Sequence, residues 1–353
     1  MTDLERRLNA FIELGKFIGD FCEYQNNPSP DGHPKSKAFQ KLEEIIVLAE
    51  KSNGWFTPDN ILFAFEKWKE LLTEEQLRDW LAAYPLEKNR KKEVAIIMAG
   101  NIPLVGFHDF LSVLLTGNSV LVKLSSNDRI LLPYLAEYLV EQEASLKNAI
   151  RFTEEKLDEF DAVIATGSNN TARYFEYYFS KRPHLIRKNR NSVAVLSGNE
   201  SQKQLRDLGE DIFRYYGLGC RSVSKLFVPD TYDFEQFFSA IYPYRTLLDH
   251  QKYANNYDYN KAVYLMSEFK LWDNGFLMLK QDENYASPIA SLFYERYDTP
   301  EDITDRLMRD QVKIQCVVGQ EFIENGIPFG QTQSPSLTDY ADGVDTVDFL
   351  LKT

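Results

Sequence analysis

Val94-Ala95-Ile96-Ile97-Met98-Ala99-Gly100-Asn101-Ile102-Pro103 is an apolar run that stops at a glycine and a proline. The run has no polar face, so it suits a strand buried on both sides, as in a parallel sheet. From Leu104 to Thr116 the apolar positions fall at helical spacing, and Gly117 ends the segment. Ser119-Val120-Leu121-Val122-Lys123 reads as the next strand. Ser125-Ser126-Asn127-Asp128 then offers capping side chains for a helix reaching about Glu141. Strand–helix–strand–helix order requires crossover connections, so the fold class is α/β with a parallel sheet.

The pattern recurs on the C-terminal side. Phe160–Ala165 reads as a strand, Thr166-Gly167-Ser168-Asn169-Asn170 as a polar turn, Thr171–Phe179 as a helix and Val193–Leu196 as another strand. In such sheets ligands bind beyond the carboxyl ends of the strands. Asn101, Lys123, Gly167 and Ser168 lie there by this reading. On the N-terminal side the chain is mainly helical. Leu4, Leu8, Phe11, Ile12 and Leu14 share one helical face, and Phe39, Leu42, Ile45, Ile46 and Leu48 share another. Residues 26–32 form a loop between them. Thr57-Pro58-Asp59 reads as a helix start with proline at its first position.

A second α/β unit follows. Gln202–Tyr216 is a predicted helix and Lys225–Val228 a strand, and Pro229–Asp233 opens another helix. Further strands are expected at Ala262–Leu265, Ala290–Tyr294 and Val312–Val318. The resulting divisions are a helical region over 1–90, a first α/β domain over 91–198, a second over 199–330, and a polar tail over 331–353 that returns to the first domain or serves an oligomer contact.

Between helix and strand of that second unit stands Tyr215-Tyr216-Gly217-Leu218-Gly219-Cys220-Arg221-Ser222. The glycines permit positive φ and close approach of a substrate. A thiol on such a turn is a candidate nucleophile, since thiolate is the strongest protein nucleophile near neutral pH. A lone cysteine also serves as a small buried hydrophobe, and both readings stand at this point. Arg221 either lowers the thiol pKa or is a solvated surface residue.

Composition narrows the function classes. The chain has 353 residues, enough for two domains and a sizeable core. Its formal charge of −13 repels phosphate backbones and anionic bilayers, so nucleic acid is not an expected partner. There is no apolar run long enough for a membrane span, and the start lacks the apolar core of a secretory signal. Three widely spaced cysteines, Cys22, Cys220 and Cys316, argue for a reducing cytoplasm and against a disulfide framework. The four histidines are scattered without metal-site spacing. The 24 Phe and 20 Tyr fit an aromatic core, with an apolar substrate pocket as the alternative for some of them.

Three segments, in order, resemble the aldehyde dehydrogenase superfamily. Gly100-Asn101-Ile102-Pro103 with Gly117-Asn118-Ser119-Val120-Leu121-Val122-Lys123-Leu124-Ser125-Ser126 is similar to its Asn-x-Pro loop and Gly-Asn-x-Val-x-x-Lys-Pro-Ser strand. Thr166-Gly167-Ser168 is similar to its cofactor-proximal turn, and Gly-x-Gly-Cys at Cys220 stands at the place of its catalytic cysteine. Within the superfamily the chain resembles the LuxC-type acyl-CoA reductases, best over residues 93–230.

That resemblance implies two Rossmann-like parallel-sheet domains, cofactor-binding and catalytic, and NADPH-dependent reduction of fatty acyl-CoA to aldehyde through a cysteine thioester. It implies Cys220 as nucleophile and Asn101 as oxyanion donor. Lys123, Ser125, Ser126, Gly167, Ser168 and Glu283 would hold the cofactor, Glu283 through a segment similar to a Glu-x-Phe-Gly-Pro ribose-binding stretch. Alternatives stay open for several of them. Asn101 can hydrogen-bond its own loop, Lys123 can simply be exposed, Ser168 can cap a helix, and Glu283 can be a surface carboxylate. His108 is either a proton donor or a satisfied, partly buried histidine.

Two departures from the superfamily are informative. Aldehyde-oxidising members carry a glutamate that activates the deacylating water. Here Leu185-Ile186-Arg187-Lys188-Asn189-Arg190-Asn191-Ser192-Val193 holds no carboxylate, which favours exchange with a thiol over hydrolysis. Ser126 stands where many NAD-using relatives carry a glutamate for the ribose hydroxyls, which favours NADPH and leaves NADH possible. The expected partners are acyl-CoA or another activated acyl donor (a carrier thioester or an acyl phosphate), a second copy of the chain, or an acyl-donating enzyme. A catalytically silent binding protein with this fold is the reading from another class.

Overall fold

The computed structural model describes residues 2–27, 36–319 and 322–353. The loop expected at 26–32 falls mostly outside them. Each helix of the N-terminal region begins at a hydroxyl. Thr2, Ser36, Thr57 and Thr73 accept the backbone N–H three residues on, starting α1 (Asp3–Asn26), α2 (Lys37–Ser52), α3 (Pro58–Leu71) and α4 (Glu74–Ala82). Then follow β1 (Glu93–Ile97), α5 (Phe107–Leu115), β2 (Ser119–Lys123), α6 (Leu131–Gln142), β3 (Ile150–Phe152), β4 (Ala162–Thr166), α7 (Asn169–Tyr178) and β5 (His184–Arg187). No helix among the described residues is long and apolar enough to cross a membrane.

These five strands form one parallel sheet in the order β3-β2-β1-β4-β5. The chain winds outward from β1 to β2 and β3, then crosses to β4 and β5 on the other side. The loops leaving β1 and β4 therefore splay apart at the carboxyl edge, which is where such sheets take ligands. The helical region packs against this sheet in one apolar core. Phe11 of α1 meets Phe107 of α5 edge-on at 6.2 Å, and Trp68 of α3 does so at 4.6 Å.

A second sheet comprises β6 (Asn191–Val195), β7 (Val223–Pro229), β8 (Leu271–Asp273), β9 (Met278–Gln281), β10 (Ser291–Tyr297) and β11 (Ile314–Val318). Its order is β11-β6-β7-β10-β9-β8, parallel except for the antiparallel β8–β9 pair at one edge. Its helices are α8 (Gln202–Phe213), α9 (Phe234–Ile241), α10 (Gln251–Met266) and α11 (Pro300–Asp310), and the chain ends in α12 (Thr346–Lys352).

The described chain divides into two compact units, residues 1–188 with 336–353, and residues 189–335. The boundary expected at 198 is thus displaced. The strand over 191–195 pairs with β7 and β11, not with the first sheet. The short apolar run left no signal for which sheet it joins. The tail is likewise divided, with 336–353 joining the first unit.

Other elements differ for readable reasons. Ala262–Leu265 is not a strand but the end of α10, whose buried residues Tyr253, Tyr257, Asn260 and Tyr264 keep helical spacing while Val263 and Leu265 face solvent. The helix from Gln202 ends at Phe213, not Tyr216, because Tyr215 and Tyr216 turn left-handed. The helix after Ser125–Asp128 starts only at Leu131, with no side-chain cap from Ile130. The helix expected from Pro229–Asp233 begins at Phe234, capped by Asp233.

The tail is held to the first unit by buried polar bonds. Arg187, at the end of β5, donates to the Asp109 carboxylate at 2.7 Å, the Thr346 hydroxyl at 2.8 Å and the Ala341 carbonyl at 2.6 Å. Trp80 and Tyr84 both hydrogen-bond the Tyr340 hydroxyl, and Tyr84 donates to Asp345. The Arg187 and Asp109 side chains are 6% and 10% exposed, so removing one leaves the other charged in a dry environment. Arg187→Ala is expected to cost about 3–5 kcal/mol of unfolding free energy in urea, and to open the tail to proteolysis.

Candidate active site

Six of the eight site residues expected from sequence lie at the carboxyl edge of the first sheet. Asn101 is on the loop leaving β1, Lys123 ends β2, Ser125 and Ser126 follow it, and Gly167 and Ser168 leave β4. The loops are drawn together at Gly100. A Cβ built there would lie 2.7 Å from both Cβ and Oγ of Ser125, so no side chain fits between the Asn101 loop and the Ser125 turn. Leu104 closes the loop at φ +57. Asp128 is 8% exposed, and burial pushes its carboxyl up to about 6 against the opposing pull of the nearby Leu104 and Leu131 backbone N–H groups. Asn53, from the helical region, reaches the carbonyls of Gly100 and Asn127. Sequence reading missed both residues. Asn53 is 47 or more positions from its partners, and Asp128 read only as a cap.

Lys123 Nζ donates to the Glu155 carbonyl at 2.9 Å and borders a cleft of about 280 Å³ lined also by Leu124, Arg129, Pro133, Phe152, Thr153 and Glu154. Ser126 is exposed and Ser125 half-buried, its Oγ accepting the Asn127 N–H. Ser168 caps α7 by accepting the Thr171 N–H, and the first turn of that helix carries no acidic residue. His108 is enclosed against Trp80 and Tyr340. Its Nε2 lies 2.9 Å from the Leu337 carbonyl, which can only accept, so that nitrogen carries the proton. Burial lowers its pKa. His108 is therefore a structural, neutral histidine.

Cys220 and Glu283 lie in the second unit. The approach to Cys220 is a left-handed turn, with φ +55 at Tyr215, +57 at Tyr216 and +76 at Gly217. Gly219, expected to share that freedom, is not in this region. Tyr216 stacks on His250 at 4.5 Å between centroids. Cys220 is half-buried and outside any disulfide. Its carbonyl accepts from Ser192 Oγ at 2.9 Å, which ties the turn to the start of β6. Arg221 is not a free surface cation, since its Nε donates to the Thr332 carbonyl. Cys22 is a different kind of thiol, pushed up to about 12 by burial.

Behind the turn stands a group that sequence reading missed. Asp211, fully buried in α8, accepts from the Gly330 N–H at 2.7 Å and from the Thr332 N–H and hydroxyl, both at 2.9 Å. Thr332 in turn holds Arg221, and Gln333 donates to Ser222. No short-range pattern announces an Asp whose partners lie about 120 residues away.

Glu283 is exposed on the loop leaving β9. Its loop is bound to β7 close to Cys220. Ser224 Oγ donates to the Tyr285 carbonyl at 2.7 Å, and Lys225 Nζ donates to the carbonyls of Asp282 and Glu283, each at 2.9 Å.

Comparison with known proteins follows the same lines. The profile of the family described as acyl-CoA reductase (LuxC) matches residues 37–250. Among solved structures, aldehyde dehydrogenase 21 from Physcomitrella patens, in complex with the reaction product succinate, is similar at 11% identity and TM-score 0.65. That match covers 100% of this chain and 84% of the other. The aldehyde dehydrogenase KauB from Pseudomonas aeruginosa is similar at 12% identity and TM-score 0.64, covering 93% and 78%. An NAD+ complex of aldehyde dehydrogenase from Bacillus cereus is similar at 15% identity and TM-score 0.58, covering 87% and 69%. At these identities the likeness is one of fold. No curated protein matches the sequence.

Burial pushes the Asp211 carboxyl up to about 6 against three donors that favour its ionised form. A folded pKa above the unfolded value gives a stability contribution that is complete below about pH 4 and lost as pH rises through about 6. The urea penalty of Asp211→Asn is therefore expected to be larger at pH 4 than at pH 7. A penalty that does not change across this window contradicts the assignment.

Proposed function

The chain belongs to the acyl-CoA reductase (LuxC) family, and we propose that it reduces a fatty acyl-CoA to the aldehyde through an acyl-cysteine at Cys220. Family membership makes it an oxidoreductase of the aldehyde group. The finer reading rests on one observation, the braced cysteine turn. Two non-glycine residues and a glycine hold left-handed conformations ahead of a half-buried thiol, with Leu218 and Gly219 between. Strain of that kind persists where the surroundings over-determine it, which is common at active sites.

The steps follow from the chain's own groups. Cys220 thiolate adds to the thioester carbonyl, and the CoA thiolate leaves, so one C–S bond forms and one breaks. Thioester exchange is nearly isoenergetic, so this step needs positioning more than driving force. The Cys220 N–H and the Asn101 amide donate to the oxyanion. A reduced nicotinamide nucleotide, when bound, would supply hydride to the acyl-cysteine carbonyl, leaving a thiohemiacetal alkoxide on the Cys220 sulfur. Collapse of the thiohemiacetal returns the Cys220 sulfur as thiolate and releases aldehyde.

Residues of the first unit fit such a nucleotide. The first turn of α7 presents backbone N–H groups without an opposing carboxylate, which suits a diphosphate. Gly167 leaves β4 beside it, and Lys123 borders the cleft at the ends of β2 and β3, where Arg129 is paired with Glu154. Ser125 and Ser126 would take the adenosine ribose side, and the absence of a carboxylate at Ser126 supports NADPH over NADH. Glu283 would hold the nicotinamide ribose. Between Leu185 and Val193 the long charged side chains are all basic, and Arg187 is committed to Asp109. Without a carboxylate base there, acyl transfer to a thiol is favoured over hydrolysis.

The test is acyl-CoA-dependent oxidation of NADPH and NADH, followed spectrophotometrically with fatty acyl chains of graded length. Cys220→Ala is expected to abolish turnover, and Asn101→Ala to lower kcat by roughly 10²–10³. Efficient oxidation of aldehyde to carboxylate, with no reduction of any acyl-CoA, contradicts the proposal.

A further inference from the structure

Strand β7 contains a bulge immediately after the cysteine turn. Ser192 pairs with Val223 and Val193 with Lys225, so Ser224 is an extra residue on β7. A regular strand would send the side chains of 224 and 225 to opposite faces. The bulge re-aims them, as bulges near active sites do, and both now address one loop. Ser224 binds the Tyr285 carbonyl, and Lys225 binds the carbonyls of Asp282 and Glu283.

Lys225 is wholly buried in this arrangement. Its ammonium also pairs with the Glu295 carboxylate on β10 and lies over the rings of Phe227 at 5.1 Å and Tyr285 at 4.9 Å. Burial of a lysine is costly, and here its donors are spent on backbone oxygens of a loop whose own side chain at 283 stays exposed. Tyr285 is anchored from the other side, donating to Asp310 at 2.8 Å.

We infer that Lys225 is a positioning residue for the cofactor-contacting loop 282–285, fixing that loop to the strand that follows Cys220. The inference rests on the proposed role of Glu283 toward a nicotinamide nucleotide. It assigns Lys225 to the nucleotide and not to the thiol. Its donors end on Asp282, Glu283 and Glu295, whereas the cysteine turn is held separately by Ser192, Arg221 and Asp211.

Lys225→Met removes the donors and keeps the apolar stem. Ser224→Ala removes the short bond to the Tyr285 carbonyl and a longer one, 3.4 Å, to the Ser192 carbonyl, leaves the Ser192 Oγ bond to Cys220 in place, and carries the same readouts if the first variant does not fold. Three quantities are measured. They are amide hydrogen exchange over 278–288, nucleotide affinity from tryptophan quenching by NADPH, and acylation of Cys220 by acyl-CoA without nucleotide, from intact mass. The expected result is faster exchange at 282–285 and affinity weaker by about tenfold, on the scale of one lost hydrogen bond. Acylation should be unchanged. Unaltered exchange, or faster exchange with unaltered affinity, overturns the inference. So does slowed acylation with unaltered affinity. If the wild-type protein binds no nucleotide, the cofactor reading itself fails. That is seen in the wild type alone and is not confused with a defect of the variants.

Discussion

Ahead of Cys220, Tyr215, Tyr216 and Gly217 hold three successive left-handed conformations. Each non-glycine residue there costs roughly 1–2 kcal/mol against the right-handed form, so the turn exists only because its surroundings impose it. α8 ends at Phe213, and Asp211 within it takes three donors from the segment 330–332. That segment holds Arg221, and Ser192 holds the Cys220 carbonyl. Cys220 is thus fixed from before and behind by groups that are almost entirely buried. For the nucleophile proposed here, such bracing lowers the entropy lost on meeting a substrate, which suits acyl transfer between thiols.

The first unit shows the same economy at its carboxyl edge. The strand order makes the loops after β1 and β4 diverge, and the missing side chain at Gly100 lets the Asn101 loop and the Ser125 turn touch. Asn53 then ties both loops together through the carbonyls of Gly100 and Asn127. The helical region contributes to this edge directly, through Asn53, besides covering the sheet.

Much of this was legible in the sequence. The runs at 94–99 and 119–123 declared buried parallel strands because both faces of each are covered. Thr57-Pro58 declared a helix start because its cap and its fixed φ act locally. The candidate residues of the first unit were legible because they lie at strand ends, where one-dimensional order already dictates the edge. What could not be read was long-range. Asp211 meets partners at 330–332, and Arg187 meets a tail more than 150 residues on. The strand over 191–195 joins the second sheet by pairing that no local pattern encodes. Val263 and Leu265 looked like strand because they are apolar, yet they face solvent while tyrosines of the same helix fill the core. The bulge at Ser224 is likewise a property of two strands together.

The central claim is that Cys220 takes the acyl group from a thioester before any reduction occurs. Intact mass spectrometry of the protein mixed with long-chain acyl-CoA, with NADPH added afterwards, reads this step directly. The account predicts that the wild type gains one acyl mass that NADPH then discharges as aldehyde, while Cys220→Ala gains none. Aldehyde formation from the wild type without any acyl-protein at Cys220, or acylation that persists in Cys220→Ala, would contradict it.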